Sequence, residues 1–73
     1  MKYAVTSNVN GNFKIESEWD NNLTGARNSF WDKCKAYNSA PDVVTAVVKL
    51  VDERLDTVEN KVEHISHEVE PNE

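Results

Sequence analysis

Apolar and polar positions alternate along residues 2–19. Tyr3, Val5, Ser7 and Val9 fall on one face of an extended segment, and Phe13, Ile15, Ser17 and Trp19 on one face of a second. Their neighbours Thr6, Asn8, Lys14, Glu16 and Glu18 are polar, the pattern of a half-buried sheet. The two segments predict a β-hairpin closed around Asn10-Gly11-Asn12. Directly opposed residues must share a face. A two-residue Asn10-Gly11 turn would set Val9 against Asn12 and Val5 against Glu16, mixing the faces. A three-residue loop sets Val9 against Phe13, Ser7 against Ile15, Val5 against Ser17 and Tyr3 against Trp19. It asks Asn12 to take a left-handed backbone, which Asn tolerates. The three-residue loop is therefore the expectation.

After Trp19 the period changes. Leu23, Ala26, Phe30, Cys34 and Tyr37 recur at helical spacing and predict a helix over residues 22–38. Asp20, Asn21 or Asn22 supplies the N-cap. Asn38 is placed for a left-handed C-cap, and Pro41 stops the helix. Gly25 weakens the first turns by about 1 kcal/mol relative to Ala, which a close approach to the sheet would explain.

Residues 42–70 fit two patterns. Val44, Val48, Val51, Leu55, Val58, Val62, Ile65 and Val69 alternate spacings of 4 and 3, the a/d repeat of a coiled-coil helix. The run "VVTAVV" is instead rich in β-branched residues that favour strands. Strands over 43–51 and 55–65, joined through "DER", form a second hairpin, whose later strand needs a bulge near Glu59-Asn60. Architecture favours the strands. One hairpin and one helix are too little for independent stability, whereas two hairpins make a four-stranded sheet with a helix on one face. The expected fold is α+β, ββαββ, mostly antiparallel. It occupies residues 1–65 as one domain, with 66–73 a polar, disordered tail. The alternative is a hairpin and helix followed by a coiled-coil helix over 42–70.

Charge sharpens the picture. The chain has 73 residues and a net charge of −5. Residues 42–73 hold nine acids against three bases, a net of −6, and residues 1–41 a net of +1. Phosphate backbones repel such a chain, so direct nucleic-acid binding is not expected. An acidic half suits docking on a basic groove, as an inhibitor or nucleic-acid mimic, or simply keeps a small protein in solution. No apolar run approaches the roughly 20 residues that span a bilayer, and no membrane partner is expected. The N-terminus lacks a signal-peptide pattern, and the lone Cys34 suits a reducing compartment, so the expected location is the cytoplasm.

Candidate chemistry is sparse. His64 and His67 in "EHISHE" would point to opposite faces of a strand and are read as exposed residues near the tail, not metal ligands. Cys34 lies on the apolar helix stripe and reads as core; no base is placed to activate it. No cofactor and no catalytic constellation is expected, and the chain is read as a non-enzyme. In the strand arrangement Val44, Ala46, Val48 and Leu50 face the helix, while Val43, Val47 and Val51 form an apolar strip on the uncovered face. Such strips mark interfaces. Trp31 sits beside the helix stripe, flanking the core or anchoring a partner. Val43, Val47, Val51 and Trp31 are the candidate interaction residues, for a protein partner or for self-association; the oligomeric state is left open.

The stretches "KYAVTSNVNGNF", "NSFWDKCKAYNSAPDVVTAVVKLVDE" and "NKVEHISHE" resemble small acidic proteins of unknown function from phages and mobile elements of gut bacteria. The resemblance implies no activity and assigns no site residue. It implies strand for "TAVVKLVD" and an accessory role, such as a virion component or an inhibitor of a host enzyme.

Overall fold

A computed structural model describes residues 1–67. The elements run β1 (Lys2–Val9), β2 (Asn12–Asp20), α1 (Leu23–Ser39), β3 (Thr45–Asp52) and β4 (Thr57–Ser66). The four strands form one sheet in the order β2-β1-β3-β4, with every neighbouring pair antiparallel. The expected ββαββ fold is the one observed, and the long helix over 42–70 does not form. The β-branched run of β3 lies against β1, where it completes the sheet that a single hairpin would leave open. Ser66 belongs to β4, and His67 is bonded into the fold, so both lie inside the domain and not in a tail. The rest of the expected tail, 68–73, lies outside the described residues.

The first hairpin corrects the sequence reading. Asn10 and Gly11 both take positive φ, 52° and 85°, and form a two-residue turn that opposes Val9 to Asn12. Asn12 is therefore an ordinary strand residue. The pairing continues through Asn8↔Phe13, Ser7↔Lys14 and Thr6↔Ile15, then shifts by one, so that Val5↔Ser17 and Tyr3↔Trp19 pair as expected. Glu16 is the extra residue of a β-bulge. The turn's register and the face alternation at the open end disagree by one residue, and the bulge satisfies both. Beyond it, Phe13 and Ile15 point away from the helix.

The second hairpin has the expected irregularity. Pairing of β3 with β4 jumps from Lys49↔Val62 to Val51↔Thr57, and Glu59 and Asn60 take φ of 54° and 56°. Leu55 is not a strand residue. It sits in the connection at φ 66°, 78% exposed, in a turn held by Asp52, whose carboxylate accepts from the backbone N–H of Arg54 (2.8 Å) and Asp56 (3.1 Å).

Helix α1 packs on one face of the sheet through Ala26, Phe30 and Cys34, which meet Val5, Val48 and Leu50. Leu23 and Tyr37 extend the stripe at either end. Asn22 caps it, its side chain accepting from the Gly25 N–H at 2.8 Å. The C-terminus differs from expectation. The helix runs through Asn38 to Ser39, and Ala40 is extended at φ −80°, ψ 120°, as a residue preceding proline prefers.

At Gly25 the Trp19 side chain of the sheet lies close against the helix. A Cβ there would lie 2.7 Å from Trp19 Cζ3 and 2.8 Å from Cε3. The indole is tethered, its Nε1–H donating to Ser17 Oγ at 2.9 Å, so it cannot swing aside freely. Gly25→Ala therefore loses more by displacing the ring than the roughly 1 kcal/mol it gains in helix propensity. Overpacking of this kind costs about 1–3 kcal/mol. Thermal unfolding of the variant should show a lower midpoint; an equal or higher one would show that the ring yields.

Candidate functional site

The helix covers one face of the sheet and leaves the other open. Strand pairing sets Ala4, Thr6 and Asn8 of β1, Phe13 and Ile15 of β2, Val47, Lys49 and Val51 of β3, and Val62 and His64 of β4 on the open face. Phe13 is 68% exposed and Ile15 55%, the largest apolar side chains there. Val47 and Val62 are partly exposed. A depression of about 270 Å³ opens over β1, lined by Thr6, Ser7, Asn8, Phe13, Val47 and Lys49. Among the described strand residues, two bases (Lys2, Lys49) and two acids (Glu18, Asp20) also lie on this face, so these strands present it close to neutral although the chain as a whole is not.

The four residues singled out in the sequence do not come together. Val47 and Val51 share the open face, but Val51 is only 6% exposed and offers little to a partner. Val43 is on the other side, 4% exposed, packed with Ala46, Ile65, Tyr37 and Ala40. Val44, expected under the helix, is 49% exposed. The inversion arises because regular strand geometry begins only at Thr45. Before it the chain is held by Asn10, whose side-chain oxygen accepts from the N–H of Val44 (2.8 Å) and Thr45 (3.1 Å). Trp31 lies on the helix, 52% exposed, edge-on to Phe30 at 5.0 Å and beneath Lys61 Nζ at 5.4 Å. It flanks the core and is remote in the fold from the valines of the open face. Sequence reasoning misses Phe13 and Ile15 because an unbroken alternation turns them inward. The signal that could have found them is the Asn10-Gly11 dipeptide, the strongest short hairpin signal, in conflict with that alternation.

Beneath the helix the bulge builds a polar cluster. The Glu16 side chain is 3% exposed, accepts a short hydrogen bond from the Tyr37 hydroxyl and pairs with Lys14 Nζ at 3.1 Å. Burial pushes the Glu16 carboxyl up, but the Tyr37 hydroxyl, Lys14 and the more distant Lys33 together outweigh it and hold it below the usual carboxylate range. Burial, then Glu16, pushes the Tyr37 phenol up. Ser7 Oγ, also buried, has no hydrogen-bond partner at ordinary range, yet stands near enough to the phenol to oppose that rise. These groups hold the helix to the hairpin. Glu16 is committed to two partners, so the cluster offers no free base.

The two histidines separate as the strand geometry requires. His64 is exposed on the open face, opposite Val47. His67 is not an exposed tail residue. Its Nδ1 lies 2.7 Å from the Val43 carbonyl oxygen and its Nε2 3.0 Å from that of Asn38, tying the end of β4 to the helix C-terminus. Among the described residues no group of three metal-ligating side chains converges, and no helix is long and apolar enough to cross a membrane. Among the described residues, the acids of the C-terminal half scatter over connections and strands; Glu59 accepts from Nε–H and Nη2–H of Arg27, each at 2.6 Å. No protein-family model, no curated protein and no solved structure matches the chain.

The buried groups set the response to pH. A lowered carboxyl pKa stabilises the fold above the ordinary value of 4.5, and that contribution is lost as the pH falls through the native value. Glu16→Gln should therefore flatten the acid limb of stability against pH, measured by urea unfolding; an unchanged limb would exclude Glu16 as its source. Burial, then the charge of Glu63, raises the Cys34 thiol to about 11. Iodoacetamide at pH 8 should leave the folded protein unlabelled and alkylate it once unfolded. Between the ordinary 9.0 and about 11 the unfolded thiol ionises first, so stability should fall with rising pH there, and Cys34→Ala should remove that part of the loss.

Proposed function

We propose that the chain is a non-enzymatic interaction or structural module that docks through the open face of its sheet. One observation carries this reading: Phe13 and Ile15 stand 68% and 55% exposed, side by side on the face that the helix leaves bare. Exposing two large side chains there costs solvation unless something covers them, and contiguous apolar patches mark contact surfaces. The near-neutral charge of the face selects a partner surface that is apolar at its centre and carries little net charge. A strongly basic groove gains nothing from Lys2 and Lys49. The absence of a catalytic motif in the sequence and the resemblance to phage and mobile-element accessory proteins agree with this role.

The test is photo-cross-linking in cells of the natural source, with p-benzoylphenylalanine placed at position 13 on the open face or at position 31 on the helix side. Position 13 should give a discrete cross-linked protein species and position 31 none. A product from position 31 alone, or none from either, would overturn the assignment.

A further inference from the structure

Deepening the reading of the open face as a docking surface, we propose that its occupant is a second copy of this chain. In the pair, related by a two-fold axis, Phe13 of each copy seats in the depression over β1 of the other. Phe13 is itself one wall of that depression, whose opposite wall is Val47 and Lys49. Knob and hole thus lie side by side on one face. A two-fold rotation about an axis parallel to the strands and between them delivers each Phe13 to the other copy's hole in the same step, the reciprocity an isologous interface needs.

Two further observations select a second copy. The charges are self-complementary: the acids Glu18 and Asp20 lie on β2 and Lys49 on β3, so the rotation that carries β2 over the depression brings Glu18 to the side of Lys49. Edge-to-edge growth is blocked, because both outer strands carry their irregularity, Glu16 in β2 and Glu59-Asn60 in β4. The overlap is small. The axis lies between β1 and β2, so those two strands of each copy face each other; at about 4.8 Å spacing and about 27 Å length they cover roughly 260 Å² per copy. The pair then buries about 500 Å², below the range of stable specific interfaces and in keeping with weak, transient association. Each copy carries −5 overall while the mating faces are near neutral. Added salt screens the repulsion between copies, so the pair tightens as ionic strength rises, opposite to docking on a basic groove.

Sedimentation equilibrium over a concentration series, at low and moderate salt, tests the proposal on the intact chain. A reversible dimer strengthened by salt is expected. Phe13→Asp should weaken it at least about tenfold without lowering the thermal midpoint, as loss of a central aromatic anchor does. Asn8→Arg, which fills the depression from its floor, should weaken it similarly and covers the case in which the first variant misfolds. In the cross-linking experiment the position 13 product should have twice the mass of the chain. A strictly monomeric protein whose position 13 cross-links to a different protein would overturn self-pairing and leave the docking reading standing. A monomer with no product at position 13 would overturn both. A dimer untouched by either variant uses another surface, and the proposal falls.

Discussion

The conformation of two residues, Asn10 and Gly11, governs most of what is distinctive in this molecule. Their left-handed backbones make the tight turn that fixes which residues of β1 and β2 pair beside it. The same Asn10 side chain binds the start of β3, and its backbone N–H donates to the Thr45 carbonyl at 2.8 Å. One residue thus sets the register within the first hairpin and anchors the entry of the strand that joins it to the second.

The bulge at Glu16 follows from that constraint, and two consequences follow from the bulge. On the covered side it inserts a carboxylate between hairpin and helix, where Tyr37 and Lys14 close around it. Three kinds of contact then share the docking of the helix. Phe30, Leu50 and Val48 supply apolar contact, Trp19 fits sterically over Gly25, and a charged tether holds the region near the helix C-terminus. On the uncovered side the bulge exports Phe13 and Ile15. The groups that grip the helix and the groups left bare are two products of one inserted residue.

The sequence disclosed much of this and concealed a specific part. The helix stripe, both hairpins, the inward set Ala46, Val48 and Leu50, and the irregularity at Glu59-Asn60 were all legible, because each rests on a periodicity or on its visible failure. The first hairpin hid its bulge. Each half of it obeys a clean rule, and the rules conflict by one residue, so preferring either over the whole length misplaces half the side chains. A frank conflict between turn chemistry and alternation is itself the mark of an inserted residue. Val43 and Val44 were inverted for a different reason. They precede the strand, and a side chain thirty-four residues away from Val44 in the chain, that of Asn10, sets the backbone there. Local pattern carries no trace of such a contact.

The placement of the two irregular strands at the rim leaves the two regular ones inside. β1 and β3 carry no bulge of their own, and β3 reads "TAVVKLVD", a short, β-branched, weakly charged segment of the kind that stacks readily into cross-β assemblies. In the folded molecule both edges of β3 are paired. A chain in which the seam between β1 and β3 has parted would present that segment with an open edge, while its blunted outer strands would no longer shield anything. The safeguard against aggregation is therefore carried by the seam, and it lasts only as long as the two hairpins stay joined.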